Sequence, residues 1–384
     1  MIFRISKLTI AAIICMFLMA VPAFGSDTQP ADSTAGEKGT NTGLEASDTK
    51  KIKFQDPLNT PARLSALSTK RVLNDIEKAD DRIIAVGIRG HIIYSDDNGK
   101  SWTQAEVPVS CDLTAVSFAS PSRGWAVGHD GIVLHTADGG TTWTKQLDGN
   151  DVCKLLEEAY ISKPLSGFPD EESAETFLFN IQLLLDDGPV NPFLDVMFEN
   201  ESTGIIIGAF NLIFLTKDGG KSWEPLLDRC DNPGGMHLYS IINTGRDIYV
   251  SGEQGLMLKF DRQAMRFQSI ETPYNGTYFG VVGKGETIIA FGMMGNIYRS
   301  ADSGASWRKI HNPTKGSIVG GRILENGAVV LVNLNGRVLV STDEGMSFVE
   351  TPNGHGAPLH AVVAIDDSTL IFAGWFGVQY GKLN

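Results

Sequence analysis

The sequence predicts an all-β fold, a seven-bladed β-propeller with a helical hairpin inserted between blades 2 and 3. Two periodic motifs support this prediction. One is an eight-residue pattern of a hydroxyl residue, an aspartate, a glycine and a final aromatic residue, which occurs five times intact and once in degenerate form. The other is a Gly-x-x-Gly turn, or a variant of it, which occurs seven times at intervals of 40 to 44 residues with one interval of 80. Short strands repeating about every 40 residues are typical of propellers.

The eight-residue pattern is the Asp-box, or bacterial neuraminidase repeat. Its hydroxyl and aspartate stand where a strand ends, and short polar side chains there can bond the N–H groups of a turn. The glycine allows a positive φ, and the aromatic residue can pack between neighbouring sheets. We expect a structural role for aspartates that recur in this way. They are Asp97, Asp138, Asp218, Asp302 and Asp343, while the degenerate copy at 259–267 keeps Asp261 without the glycine.

The interval of 80 residues separates blades 2 and 3, and its residues 150–189 contain neither motif. Apolar residues there recur at the spacing of amphipathic helices. Pro169-Asp170 is a typical helix start, and Gly188-Pro189 is a typical stop. We therefore predict a helical hairpin over residues 150–189 rather than an eighth blade.

The seventh repeat reaches Asn384 just after its third strand. We expect residues near 53–68 to supply the outer strand of blade 7, because this would remove an exposed sheet edge. The propeller is then predicted to span residues 53–384.

The first residues predict export. Arg4 and Lys7 precede an apolar run, and Ala23-Phe24-Gly25 is a small-x-small cleavage site, which together are typical of a secretory signal peptide over residues 1–25. The apolar run is shorter than a bilayer span. Residues 26–52 are rich in small and polar residues and are predicted to be a flexible linker. The expected location is the periplasm or another extracytoplasmic compartment.

The composition is acidic. Without the predicted signal peptide, 30 Lys and Arg stand against 45 Asp and Glu, a net charge of −15. This charge disfavours binding to nucleic acid or to an anionic lipid surface. Cys111, Cys153 and Cys230 show no spacing typical of a metal site. We expect no metal ion and no cofactor, and a disulfide between two of these cysteines stays open.

The Gly-x-x-Gly turns supply the candidate binding residues. In a four-stranded blade, the turn between strands 2 and 3 emerges on one face of the disc and the Asp-box on the other. The turns of blades 5, 6 and 7 carry apolar residues where solvent is the usual neighbour. This favours either a binding surface or a plug of the central channel. We name Met293, Met294, Leu334, Trp375 and Phe376 the apolar arc. The full set of candidates is Arg89, His129, Phe210, Met293, Met294, Leu334, Trp375 and Phe376.

Because Asp-boxes also occur in sialidases, a sialidase-like glycoside hydrolase is an alternative. Such a site needs an arginine cluster, a tyrosine nucleophile and acidic residues. The turns offer Arg89, Asp130 and Glu253 from three different blades, whereas the two carboxylates of a glycosidase lie about 5–10 Å apart. We expect no catalytic residues and no enzymatic activity.

Residues 123–143, RGWAVGHDGIVLHTADGGTTW, resemble the photosystem II assembly and stability factor family, and the resemblance extends over about residues 70–380. It implies an exported seven-bladed propeller. In photosynthetic members an arginine-rich face engages the partner, whereas the corresponding turns here carry Arg89 with apolar and acidic neighbours. Non-photosynthetic relatives are similar to accessory proteins of resistance-nodulation-division exporters.

The sequence therefore predicts a monomeric, periplasmic, non-enzymatic propeller. Its expected role is to bind a membrane protein complex, an exporter subunit or an apolar ligand through the face with the Gly-x-x-Gly turns, and to assist assembly or transport. A photosystem II assembly factor proper and a sialidase-like hydrolase are the alternatives.

Overall fold

The computed structural model describes residues 55–352, 356–366 and 368–383. The predicted signal peptide, residues 1–25, and the predicted linker, residues 26–52, lie outside this part of the chain. The described residues form seven antiparallel sheets, six with four strands and one with three. This arrangement confirms the predicted seven-bladed propeller.

Each blade is a meander of strands in chain order. The strands are, in blade 1, β1 Leu73–Ala79, β2 Arg82–Gly87, β3 Ile92–Ser95 and β4 Thr103–Gln104; in blade 2, β5 Leu113–Phe118, β6 Gly124–Gly128, β7 Val133–Thr136 and β8 Thr144–Leu147; in blade 3, β9 Phe193–Phe198, β10 Gly204–Gly208, β11 Ile213–Thr216 and β12 Glu224–Pro225; in blade 4, β13 Leu238–Asn243, β14 Ile248–Gly252, β15 Met257–Asp261 and β16 Arg266–Ser269; in blade 5, β17 Tyr278–Lys284, β18 Thr287–Gly292, β19 Ile297–Ser300 and β20 Arg308–Ile310; in blade 6, β21 Ile318–Ile323, β22 Val329–Asn333, β23 Val338–Ser341 and β24 Val349–Glu350; and in blade 7, β25 Leu359–Ala364, β26 Thr369–Gly374 and β27 Gly377–Lys382.

The first strands of the blades form the inner ring. Each first strand contacts the first strand of the next blade, and β25 contacts β1, so that the ring is closed. The second strands are mostly apolar and mostly buried because both of their faces are covered by neighbouring blades. In β10, for example, all five residues are buried.

The inner strand of every blade contains a register shift, which places one extra residue at the same position. The extra residues are Asn74, Thr114, Leu194, Tyr239, Phe279, Val319 and His360. Three of them bond the start of the next inner strand: Asn74 Nδ2 donates to Leu113 O at 2.7 Å, Thr114 Oγ1 donates to Phe193 O at 2.8 Å, and His360 Nδ1 lies 2.9 Å from Leu73 O. These side chains therefore link the inner strands of neighbouring blades, which belong to different sheets and share no backbone ladder.

Each intact Asp-box has its own copy of the same hydrogen-bond pattern, which blade 2 illustrates. Thr136 Oγ1 donates to Asp138 Oδ1 at 2.8 Å and accepts from Gly140 N at 2.9 Å. Asp138 also accepts from the N–H and the hydroxyl of Thr142. Trp143 is buried, and its Nε1 donates to Gly140 O at 3.0 Å. In the degenerate copy, Met265 adopts the left-handed conformation with a φ of 51°.

The box glycine is required by packing as well as by its φ. In blade 6, Gly345 has a φ of 81°, and a Cβ there would lie 2.3 Å from Ile289 Cδ1 of blade 5. The box of one blade therefore presses against the apolar face of the preceding blade.

The predicted helical insertion is present between β8 and β9. Helix α1, Gly149–Leu156, continues into one π-helical turn, Glu157–Ile161, and helix α2 spans Glu171–Asp187. Asp170 caps α2 by accepting a hydrogen bond from Ser173 N at 2.7 Å, and Gly188 ends it with a φ of 77°. Both predicted helix boundaries are confirmed.

The predicted closure by residues 53–68 is wrong for the residues described. Pro57–Asn59 and Ser68–Lys70 are 3-10 turns, and blade 7 has three strands in the described part of the chain. Pro57 has no N–H to give to a strand ladder. Leu58 is instead buried against blades 1 and 2, and Ala62 N donates to Val107 O at 3.0 Å.

Blade 7 meets blade 1 through Tyr380 of β27. Its hydroxyl donates to Gly99 O at 2.5 Å and accepts from Trp102 Nε1 at 3.1 Å. Ile371 packs on the same box, since a Cβ at Gly99 would lie 2.4 Å from Ile371 Cδ1. The ring is thus closed by side-chain contacts between β26, β27 and the first Asp-box.

Four charged residues of the inner strands form a cluster. Asp75 Oδ2 accepts from Val116 N of blade 2 at 2.9 Å, and Asp195 Oδ2 accepts from Ile241 N of blade 4 at 2.8 Å. Arg322 of blade 6 forms two hydrogen bonds with Glu77 of blade 1, at 3.0 and 2.8 Å. Burial raises the pKa of Asp75 and of Asp195 to about 7, although backbone N–H donors favour their ionised forms.

We expect truncation of the box tryptophan to destabilise the propeller. Trp143→Ala should lower the free energy of unfolding by about 3–5 kcal/mol, the cost of removing a large buried aromatic residue. Urea unfolding measures this change. Trp143→Phe keeps a ring without the N–H and should cost less, whereas equal losses in the two variants would assign the effect to the hydrogen bond.

We also expect the melting temperature to rise as the pH falls from 8 to 5. The pKa of Asp75 and Asp195 is higher in the folded protein than in the unfolded chain, so their stabilising contribution is complete below about pH 4 and is lost as the pH rises through about 7. Asp75→Asn should flatten this slope. An unchanged slope in Asp75→Asn would contradict the assignment.

Below about pH 4 the trend should reverse. Hydrogen bonds from hydroxyl and N–H groups lower the pKa of the box residues Asp97, Asp302 and Asp343 to about 2. Their contribution is therefore lost as the pH falls toward 2. The variant Asp302→Ala should show a weaker loss of stability in this acid range than the unaltered protein.

Candidate functional site

The seven turns between second and third strands lie on one face of the ring, which we name the turn face. The turns of blades 1 to 5 are single 3-10 turns: Ile88–Gly90, His129–Gly131, Ala209–Asn211, Glu253–Gly255 and Met293–Gly295. Blades 6 and 7 have tight turns at residues 334–336 and 375–376. The Asp-boxes connect third and fourth strands and so lie at the opposite ends of the strands.

Every turn is fixed to the start of the inner strand of its own blade by one backbone hydrogen bond. The bonds run from Ile88 N to Val72 O, His129 N to Asp112 O, Ala209 N to Pro192 O, Glu253 N to His237 O, Met293 N to Thr277 O, Leu334 N to Ser317 O, and Trp375 N to Pro358 O. A second contact reaches the next blade in several turns. Arg89 N donates to Asp112 Oδ1 at 2.7 Å, and Met294 N donates to Ser317 Oγ at 3.1 Å.

The second variable residue of the turn is in the left-handed conformation in five blades. These residues are Arg89, Asp130, Phe210, Gln254 and Met294, with φ between 52° and 57°. For a non-glycine residue, this conformation costs about 1–2 kcal/mol of conformational strain. The turn geometry itself would accept glycine, so these positions hold particular side chains at some cost in stability.

The apolar arc spans three consecutive blades of the ring. Its residues belong to blades 5, 6 and 7, whose inner strands are neighbours in the ring. Met294 is 81% exposed, Phe376 63% and Met293 40%, while Leu334 and Trp375 are half-buried. Three of the five side chains are thus open to solvent rather than enclosed in the channel.

The other three predicted candidates lie elsewhere on the turn face. Arg89 is exposed on blade 1, and His129 and Phe210 are half-buried on blades 2 and 3. The structure therefore does not bring all eight candidates into one patch.

Phe210 borders a cleft of about 750 Å³ between helix α2 and the loops of blades 3 and 4. Phe177 and Leu227 contribute apolar walls, and Asp231 and Arg266 form an ion pair at its edge. The insertion is fastened beside it, because Tyr160 accepts a hydrogen bond from Leu227 N at 3.1 Å. This cleft could not be read from the sequence, since its walls are far apart along the chain.

A row of aromatic rings extends from Phe210 across blades 4 and 5. His237 contacts Phe210 and Tyr239, and Tyr239 contacts Phe279, with near-perpendicular rings at each step. Phe210 N donates to His237 Nδ1 at 2.8 Å, and burial lowers the pKa of His237. The neutral imidazole is therefore the form that suits this contact. The only sequence signal for this row is that Tyr239 and Phe279 occupy the same position in consecutive repeats.

The turn carboxylates considered for hydrolysis have structural partners. Glu253 accepts a hydrogen bond from His237 N at 3.0 Å, and burial raises the pKa of the nearby Tyr239. Burial raises the pKa of the Cys111 thiol, and the hydrogen-bonded Asp130 carboxylate raises it further. These contacts hold the turns in place.

Cys111, Cys153 and Cys230 are free thiols. Burial raises the pKa of each of them, which favours the protonated and less reactive form. Within residues 55–352, 356–366 and 368–383, no three His, Cys, Asp or Glu residues are grouped so that they could hold a metal ion. The same residues contain no helix with the length and apolarity needed to span a membrane.

Comparison with known proteins identifies the family to which this propeller is similar. The family model described as photosynthesis system II assembly factor YCF48 matches residues 55–154 and 180–358, on both sides of the helical insertion. A photosystem II assembly lipoprotein Ycf48 of Prochlorococcus marinus is 21% identical over 300 residues, 73% of this chain and 86% of that protein. A protein of the same description from Synechococcus sp. (strain CC9902) is 28% identical over 160 residues, 40% of this chain and 47% of that protein.

Solved structures show the same fold. A structure described as YCF48 bound to D1 peptide is 17% identical, with a TM-score of 0.59 over 83% of this chain and 95% of that one. YCF48 from Cyanidioschyzon merolae is 16% identical, with a TM-score of 0.58 over 85% and 98% of the two chains. The repeats, the closed ring and the match of the family model over more than half of the chain together show that this chain belongs to the YCF48 family of photosystem II assembly factor propellers.

Proposed function

We propose that this protein is a non-enzymatic, extracytoplasmic assembly factor that binds an exposed segment of a membrane protein through the apolar arc. The observation that supports this most directly is the solvent exposure of Met293 and Met294 on the turn of blade 5 and of Phe376 on the turn of blade 7. The half-buried Leu334 lies on the turn of the blade between them. Solvent-exposed apolar residues that lie side by side mark interaction surfaces. Methionine and aromatic residues are well suited to contact partner segments of varied shape.

The family supports the class of partner. Both relatives compared above are named photosystem II assembly lipoproteins, and one solved relative is described as bound to a D1 peptide. Photosystem II is therefore the first partner to test. An exporter subunit is the other membrane partner, favoured here because the turn face presents an apolar arc rather than a cluster of arginines.

Site-specific photocrosslinking distinguishes these partners. A benzoylphenylalanine at position 294 should crosslink to an integral membrane protein in the native envelope, since the side chain of Met294 is 81% exposed on the turn face. The matched control is position 346, because Met346 is also exposed, at 52%, but lies in an Asp-box on the opposite side. Mass spectrometry identifies the products. The same products from both positions would contradict the assignment of the turn face.

We expect the exposed residues of the arc to contribute to binding without stabilising the fold. Met294→Ala with Phe376→Ala should weaken capture of the crosslinked partner by about 2 kcal/mol, or about 30-fold. The melting temperature should change little because both side chains are largely exposed. Met346→Ala is the control for loss of an exposed methionine. An early-melting double variant that binds normally when folded would show that the arc is part of the core.

A further inference from the structure

Blade 7 leaves a slot where the other six blades have a fourth strand. No strand within the described residues pairs with the outer edge of β27. Beside this edge lies a groove of about 580 Å³. It is lined by Phe376, Val378 and Tyr380 on one side, by Trp102 of blade 1 opposite them, and by Lys70 and Lys100.

The corresponding slot between blades 1 and 2 shows what such a groove holds. There the chain just after β4 is clamped on the next Asp-box by a parallel bridge. Glu106 N donates to Thr141 O at 3.0 Å, and Trp143 N donates to Glu106 O at 3.0 Å. Ala105 and Val107, on either side of the exposed Glu106, are buried.

The box of blade 1 presents the same backbone groups to the slot beside β27. Lys100 and Trp102 are the counterparts of Thr141 and Trp143. Within the described chain, neither Lys100 C=O nor Trp102 N–H has a hydrogen-bond partner. An occupant could therefore bond both groups while its strand extends the sheet of β27.

The positive charges of two lysines beside the slot favour an occupant with a negative charge. Lys70 and Lys100 are exposed and form no ion pair with a described residue, in a protein whose net charge is −13. The strand that fills the slot of blade 1 has the pattern apolar–acidic–apolar, and an acidic residue at its centre would lie beside Lys100. Leu44-Glu45-Ala46 of this chain has the same pattern, so the test includes deletion of residues 26–50.

We infer that an extended segment of a protein partner, with the pattern apolar–acidic–apolar, adds to β27 as the fourth strand of blade 7. Edge addition of this kind gains affinity from main-chain hydrogen bonds and specificity from alternate side chains. The slot is continuous with the apolar arc through Phe376, so this inference rests on the proposed function and describes how the partner is held.

The test uses the full mature chain and three blocked, fluorescent peptides. The probe is Thr-Val-Val-Glu-Val-Thr-Val; the second peptide has Lys in place of Glu, and the third has Pro in place of the Val before Glu. Fluorescence anisotropy should show the Glu peptide binding about tenfold more tightly than the Lys peptide, because charge pairing discriminates between extended segments of the same shape. The Pro peptide should not bind, since it lacks the N–H that would donate to β27, the counterpart of the bond from Ala105 N to Ile92 O of β3.

Charge reversal in the protein gives the decisive comparison. Lys70→Glu with Lys100→Glu should invert the preference, so that the Lys peptide binds more tightly. The matched control is Lys221→Glu, because Lys221 has the same place in the box of blade 3, where the preceding blade already has its fourth strand. Binding of the Glu peptide should also slow amide hydrogen exchange in β27.

Several results would overturn the inference. They are equal binding of all three peptides, no binding, a preference that Lys221→Glu changes as much as the double variant does, or unchanged exchange in β27. A gain of more than tenfold in peptide affinity on deletion of residues 26–50 would assign the slot to this chain's own N-terminal segment instead. A dimer in light scattering that the double variant abolishes would assign it to a second copy. Failure of peptide binding with retained photocrosslinking from position 294 would reject the slot and leave the proposed function standing.

Discussion

Each blade of this ring has two apolar faces, and neither face can be buried without a neighbouring blade. The stability of the whole ring therefore depends on the junction at which blade 7 meets blade 1. At that junction Tyr380 bonds both Gly99 and Trp102, and Ile371 packs on the same box. The first Asp-box thus performs for blade 7 the task that a shared fourth strand performs in many closed rings. In the part of the chain that the structure describes, this closure by side chains leaves the outer backbone edge of β27 without a paired strand.

The need to keep the ring closed also explains which positions can vary in sequence between blades. The inner strands are joined by side chains such as Asn74, Thr114 and His360, each of which bonds the carbonyl of a residue in the next blade. The turns are fixed to these strands by one backbone hydrogen bond each. Since a backbone hydrogen bond anchors every turn, the variable residues can differ between blades, although Glu253 and Asp130 add side-chain contacts of their own. Function in such a scaffold resides in loops placed by a rigid fold.

The repeats predicted the blade number, the insertion and the position of the candidate turns, because each of these depends on local sequence. Asp170 and Gly188, for example, mark the ends of α2 by capping alone. The closing strand was predicted wrongly because it depends on a long-range choice: Leu58 is buried beside blades 1 and 2. The cluster of Asp75, Asp195 and Arg322 was also missed, since its members meet only when distant blades form a ring. The position of the apolar arc on three consecutive blades followed from blade order, but its exposure required the structure.

For the function proposed above, family membership and charge together limit the segments that this protein would bind. The frame is that of the YCF48 family over most of the chain, so a change of partner need involve only the turns and the open edge. The turn face offers exposed methionine and phenylalanine side chains, which gain affinity by burying apolar area. The adjoining slot offers lysines, which discriminate by charge and contribute to the rate of association. A segment that is apolar at one end and acidic in its extended part would satisfy both surfaces at once. In the proposed assembly role, such a segment would be accessible before the membrane protein partner reaches its final assembly, because the finished complex would bury its apolar residues.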